Sequence, residues 1–235
     1  MRSDFLKGMT HGIPIALGYI SVSFGFGIAA VRAGLSVAAA VGISASNLTS
    51  AGQAAGVEII AAGGTLIELA LSQLVINLRY SLMGLSLSQK LDDSFTVLHR
   101  LLASYGITDE IFAVAAAQPG KLKPLYMYGL ILISALGWTG GTLLGAVAGQ
   151  ALPQMFTAAM GILLYGMFIA IIIPPSRKNR SVFGAVLIAA LISLLFKFVF
   201  TKISVGFAII ISASVAAAVM ALIAPVPDDE EEEQS

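Results

Sequence analysis

Five polar side chains sit in a stretch that otherwise reads as membrane core. Between Gly64 and Ser88 the chain is apolar, yet it carries Glu68, Ser72, Gln73, Asn77 and Arg79, with Tyr80 next. An arginine at membrane depth costs about 2.5–3.5 kcal/mol on insertion scales, so it takes a protein or water partner. Arg79 can bind a substrate carboxylate; it can equally form an ion pair with Glu58, Glu68 or Asp109. Glu58 and Glu68 can carry a coupling proton, because burial favours the protonated form of a carboxylate; either can instead be solvated at an interface. Asn47, Thr49, Ser50 and Gln53 offer uncharged polar groups that suit a zwitterion, with Phe24 and Phe26 placed for its apolar end. The same four residues also suit a helix break closed by its own caps. Asp109 and Glu110 can take an ammonium group or close a cytoplasmic gate, or simply favour the dipole of a helix start at Thr108.

Other chemistries are missing. There is no cysteine, which removes disulfides, thiolate metal sites and thiol catalysis. His11 and His99 are too few and too separated for a metal site, so no metal or cofactor is expected. No His-Glu-x-x-His, Gly-x-Ser-x-Gly or phosphate-binding Gly-x4-Gly-Lys-Ser/Thr pattern occurs, so the chain is expected to be neither an enzyme nor ATP-driven.

The elements that must position these residues are helices in a bilayer. The chain has 235 residues, 57% hydrophobic and 11% charged, with a mean hydropathy of +0.92. A soluble domain averages about 25% charged residues. The fold class is therefore all-α, a polytopic transmembrane helical bundle. Residues Met1–Ala224 form one transmembrane domain and Pro225–Ser235 a solvated acidic tail. The net charge is zero, so there is no footprint for nucleic acid.

At about 100° per residue, Glu68, Ser72, Arg79 and Ser86 share one helix face, and Gln73, Asn77, Gly84 and Ser88 fall opposite. A helix polar on two sides is expected inside the bundle. Clear spans are expected at Gly8–Val31, Leu125–Gly149, Pro153–Ile173 (ended by Pro174-Pro175), Val182–Phe200 and Ile203–Ala224. Gly137, Gly141, Gly145 and Gly149 recur every fourth residue and make a smooth helix face. Ser36–Ala62 reads two ways: one weak span, or a re-entrant pair of half-helices broken at 47–53. Irregular backbone at that depth survives only if buried in protein or lining a cavity. The section Gln89–Lys123 reads as a membrane-flanking loop with surface or partly inserted helices.

Charge distribution ties these two regions together. If Ser36–Ala62 folds back, Arg2, Lys7, Lys90, Arg100, Lys121, Lys123, Arg177, Lys178 and Arg180 share one side with the amino terminus. If it crosses, the middle section must cross too. The charge count favours the fold-back, with both termini cytoplasmic. Gly25 and Gly34 find counterparts in Gly140 and Gly149, which raises an internal repeat of the kind transporters use.

Several motifs together resemble the AzlC family, the large subunit of branched-chain amino acid exporters associated with azaleucine resistance. They are Gly12-x-Pro14, Gly18 and Ser23-Phe24-Gly25; Ser50-Ala51-Gly52-Gln53; Asn77-Leu78-Arg79-Tyr80 with Gly84-Leu85-Ser86-Leu87; and Thr108-Asp109-Glu110-Ile111-Phe112-Ala113. They cover about the first half of the chain. The family usually has His after the Arg where this chain has Tyr80, so any proton movement through that position differs here. The resemblance implies secondary export of valine, leucine, isoleucine or a related neutral amino acid across the cytoplasmic membrane, together with a small hydrophobic AzlD-type subunit. A non-transporting scaffold subunit and a channel for another small solute are the alternatives.

Overall fold

A computed structural model describes residues 2–151 and 172–224, with Gly166 and Ile169 singly between them. The expected acidic tail and most of the expected span Pro153–Ile173 lie outside the described residues. Nine helices are bounded among the described residues. They are α1 (Arg2–Arg32), α2 (Val37–Ser46), α3 (Ser50–Ala61), α4 (Leu66–Ser88), α5 (Val97–Ser104), α6 (Asp109–Ala116), α7 (Pro124–Ala151), α8 (Arg180–Phe198) and α9 (Val205–Ile223). No strand occurs among the described residues; only a single bridge joins Leu91 to Leu122. Five helices, α1, α4, α7, α8 and α9, are long and apolar enough to cross a bilayer. The protein is an all-α polytopic membrane protein.

The frame is the pair α1 and α7, which run side by side in the same direction. Gly137 lies against Ala16, Gly141 against Ile20, Gly145 against Phe24 and Gly149 against Ile28, a constant register of 121 residues. A Cβ at Gly145 would overlap the Phe24 carbonyl, so backbone touches backbone. Lipid supplies little hydrophobic drive between helices, and such close packing takes its place. Pro14 is accommodated inside α1 and does not end it.

Two pairs of half-helices enter this frame from opposite ends. Gly34, at φ +92°, lets the chain turn back after α1. The helix α2 then runs antiparallel to α7, with Ser44 bonded to Thr142. Its 10 residues reach only about 15 Å, half a bilayer. After a break at Asn47–Thr49, α3 returns, so that Val57 shares a core cluster with Phe26, Ala40 and Ala146. The fold-back reading of Ser36–Ala62 is therefore the one observed. Antiparallel to α3 runs α4: Gly52 faces Gln73 and Gly56 faces Leu69.

The second pair narrows the reading of Gln89–Lys123: its short helices are the partly inserted kind and not surface helices. α5 starts beside the amino end of α7, with His99 2.6 Å from the Tyr128 hydroxyl. It climbs until Gly106 packs on Ile131 and the Tyr105 hydroxyl donates to the Ala45 carbonyl at 2.7 Å. α6 then descends to Gln118, which lies 3.0 Å from His11. The short helices hid this depth because their charged flanks, Lys90 to Asp93 and Lys121 to Lys123, lie back at the α1 amino end.

The other expectation to change concerns α4. It is polar on two faces, as read, but a third stripe of Ile67, Leu71, Leu74, Leu78, Leu82 and Leu85 is exposed. The helix stands at the edge of the described bundle, not inside it. The expected stop at Pro174-Pro175 is also displaced: residues 172–178 are helical and the chain breaks at Asn179. α8 and α9 form an antiparallel hairpin, with Gly184 against Met220.

Candidate functional site

Each half-helix pair breaks for a local reason. Thr49 caps α3 by accepting the Gly52 N–H, and Thr108 caps α6 by accepting the Ile111 N–H. A capping threonine holds extended backbone and starts a new helix, so it ends the preceding one. Thr108 follows Thr49 by 59 residues, and the two caps face each other near the middle of the frame.

Each cap is held by the long helix of the other half. Thr49 donates to Asn77 Oδ1 of α4 at 2.5 Å. The Tyr19 hydroxyl of α1 lies 2.6 Å from Thr108 Oγ1 and 2.6 Å from Glu110 Oε2. Behind them runs a buried chain. Thr142 and Ser44 hydroxyls are 2.7 Å apart, Gln53 donates to Ser44 at 3.1 Å, and the Trp138 indole donates to Gln53 Oε1 at 2.8 Å. Tyr19 meets Trp138 edge to face at 5.2 Å between ring centroids. Within this hydrogen-bonded network, Ser44, Gln53, Trp138 and Thr142 each have a partner for their buried polar side chains.

Between the two breaks lies a cavity of about 400 Å³. Its apolar wall is Ile15, Val22, Leu48 and Trp138; its polar groups are Ser50, Asp109 and Glu110, with Tyr19 and Tyr80 beside them. That volume is in the range of small-molecule sites, which run from about 300 to 1,000 Å³. Two helix amino ends point into one space, and their dipoles favour negative charge. At α6 the acids Asp109 and Glu110 already answer that field; at α3 only Ser50 stands there.

Arg79 pairs with Asp109 at 2.9 Å and lies over the Tyr80 ring, 5.0 Å from its centroid. A second cavity of about 700 Å³ lies on the other side of Ser50, lined by Arg79, Glu58, Ile76 and residues of α8 and α9. Ser50 and the ion pair thus stand between the two spaces.

The sequence-derived candidates divide accordingly. Ser50, Asp109 and Glu110 line the central cavity; Thr49, Asn77, Arg79 and Gln53 frame it through the bonds above. Asn47 belongs to the break itself and receives the Thr49 N–H at 3.4 Å. Glu58 lines the second cavity. Phe24 and Phe26 lie away from the site. The Phe24 backbone is taken up by Gly145, and Phe26 is buried with Ala30 and Ala40. Glu68 is also elsewhere: it is 3% exposed and closes a capping box with Thr65 at the start of α4. It also accepts the Gly206 N–H of α9 at 2.8 Å. Tyr19 and Trp138 were not singled out from sequence, although an aromatic with a polar tip inside a span signals a hydrogen-bonded core position. Among the described residues no group of three or more His, Asp or Glu gathers to hold a metal.

Comparisons with known proteins place the chain in a family. A family model described as AzlC protein matches residues 14–152, from the first cavity residue to the end of α7. The inner membrane protein YgaZ of Escherichia coli is 30% identical over 186 residues, covering 76% of each chain. An uncharacterized membrane protein of Archaeoglobus fulgidus is 31% identical over 184 residues, covering 77% of this chain and 80% of that one. A Helicobacter pylori membrane protein is 24% identical over 185 residues. No solved structure matches. Both half-helix pairs, the cavity between them, α7 and α1 from Pro14 onward fall inside the matched residues: the chain is a multi-pass membrane protein and belongs to the AzlC family.

Proposed function

We propose that this protein is a secondary transporter that exports valine, leucine, isoleucine or a related neutral amino acid across the cytoplasmic membrane. The observation that carries the reading is the central cavity, which has two poles and an apolar wall. A zwitterion fits with its carboxylate at Ser50 and the α3 amino end, where N–H groups and dipole favour an anion. Its ammonium meets Asp109 and Glu110. Its aliphatic side chain lies against Ile15, Val22, Leu48 and Trp138. Arg79 holds Asp109 when the site is empty and exchanges it for the substrate.

Proton coupling falls to Asp109 or Glu110, the carboxylates inside the cavity, in preference to Glu68, whose oxygens hold backbone N–H groups. A small hydrophobic AzlD-type subunit completes the transporter, as the family resemblance implies. The end carrying Arg2, Lys7, Lys90, Lys121, Lys123 and Arg177–Arg180 faces the cytoplasm, following the rule that cationic loops stay inside.

The test is efflux of labelled valine, leucine and isoleucine from liposomes holding this chain alone, and then with the small subunit. Saturable efflux, stimulated by unlabelled amino acid on the opposite side, is the expected result. Absence of efflux from both preparations, with the complex folded, rejects the reading.

A further inference from the structure

The two halves of the core are the same unit turned over, and only one of their two clefts is open. α1 with α2–α3 and α4 with α5–α6 have the same order: a long helix, a descending half-helix, a threonine cap and a returning half-helix. The long helices α1 and α4 run in opposite directions, and Thr49 corresponds to Thr108 at a spacing of 59 residues. The glycine match across α1 and α7 is a different relation, since those two helices run parallel.

Applying that spacing compares the cleft between α1 and α6 with the cleft between α4 and α3. In α1 the positions are Pro14 and Gly18; in α4 they are Gln73 and Asn77. Pro14 and Gly18 offer no hydrogen-bonding side chain, and a Cβ at Gly18 would meet open space: this is the central cavity. Gln73 and Asn77 do the opposite. Thr49 donates to Asn77, Asn77 donates to Gln73 at 3.1 Å, and Gln73 donates to the Gly52 carbonyl at 2.8 Å. Gly52 has no side chain because the Gln73 amide occupies that space. Only about 160 Å³ remains between α3 and α4.

We propose that the amide ladder Thr49–Asn77–Gln73–Gly52 is a closed gate, and that Gln73 and Asn77 are positioning residues which keep the cavity shut toward the carboxy end of α3. The role rests on the transport reading; the ladder itself rests on the hydrogen bonds alone. In an inverted pair of units, the opposite-facing state opens the second cleft and closes the first. Here that exchange breaks the side-chain amide ladder on α4, whereas the α1–α6 cleft is bridged by the Tyr19 hydroxyl at Thr108 and Glu110. The two facing states therefore differ in hydrogen bonds, which sets their relative populations.

The chain has no cysteine, so one introduced thiol reports by itself. Gly18→Cys places it in the open cavity. A membrane-impermeant maleimide is applied from either face of oriented vesicles. With the ladder intact, labelling is expected only from the α1 amino side. Gln73→Ala or Asn77→Ala is expected to raise labelling from the other face roughly tenfold, the effect of losing one or two hydrogen bonds, while labelling from the α1 amino side shows the fold intact. Unchanged sidedness in both variants overturns the gate.

A second measurement joins Gly56→Cys to Leu69→Cys with a short thiol cross-linker; a Cβ placed at Gly56 lies 3.4 Å from the Leu69 side chain across the cleft. Export is expected to fall roughly tenfold or more on cross-linking and to return on release; full export from the cross-linked chain overturns the gate. If the uncross-linked pair and the native chain export nothing, the transport reading fails, and the labelling result decides the gate alone.

Discussion

The Arg79 guanidinium and the Asp109 carboxylate meet at 2.9 Å, joining the middle of α4 to the first turn of α6. Both side chains are about two-fifths exposed, so the pair is wet enough to open. On the proposed function, Arg79 and the substrate ammonium compete for the same carboxylate. Asp109→Asn should weaken amino acid binding by about tenfold to a hundredfold, the loss of a charged hydrogen bond of roughly 1.5–3 kcal/mol. Arg79→Gln should lower transport while leaving binding less affected, because it frees Asp109. Equilibrium binding and liposome efflux, measured on both variants, check the split. Equal loss of both quantities in Arg79→Gln would argue for a purely structural pair.

Glu68 acts as a clasp between α4 and α9. Its carboxylate serves the Thr65 and Gly206 N–H groups and is nearly fully buried. Glu68→Ala should lower stability by about 1–3 kcal/mol, since it leaves buried donors unpaired. Efflux per folded molecule should stay near the native value. Thermal unfolding in detergent together with efflux checks both. A stable Glu68→Gln variant that has lost proton-driven export would instead return this residue to the coupling role.

Trp138 sets the size of the cavity. Its indole is locked by Gln53 at 2.8 Å and by the edge contact with Tyr19. Trp138→Ala should shift preference from valine and leucine toward larger side chains such as phenylalanine. One methylene in an apolar pocket is worth about 1–3 kcal/mol, or roughly 10–200-fold, so competition assays have ample range. Gln53→Leu should blur the preference less, since the ring remains but loses its anchor.

The α1–α7 seam should tolerate no added volume. Gly145→Val pushes a branched side chain into the Phe24 backbone, which has no flexible end to move. The expected result is loss of monodisperse protein on size-exclusion chromatography, well beyond the roughly 1–3 kcal/mol of an ordinary overpacked core site. Gly140→Ala, facing open space one residue before the seam, should behave as native.

Much of the site was legible because its signals are local. Asn77, Arg79, Asp109 and Glu110 are conspicuous for being polar in or beside apolar runs, and the Thr49 break carries its own cap. The first fold-back could be read from charge parity. What failed needed partners far along the chain. Phe24 looks available until the register of 121 residues turns that face of α1 onto Gly145. Glu68 looks like a buried acid until Gly206, 138 residues later, supplies its donor. The second break was the hardest. Tyr105–Thr108 is short, and the charged ends of its half-helices dominate any hydropathy window. Its signal was a capping threonine followed by acids, Thr108-Asp109-Glu110, 59 residues after the Thr49 cap.

The parallel seam of α1 and α7 also bears on biogenesis. Phe5 and Gly129 must meet across more than half the chain, so the seam cannot zip until the residues up to Gly149 have been synthesised and inserted. Until then α1 sits in lipid without the surface it is shaped to fit. The first half-helix pair meanwhile holds a polar break at half depth, with Gln53 lacking Trp138 and Ser44 lacking Thr142. A nascent chain in that condition needs shelter beside the insertion machinery. Arrest of synthesis before α7 should leave a protease-sensitive, quickly degraded intermediate.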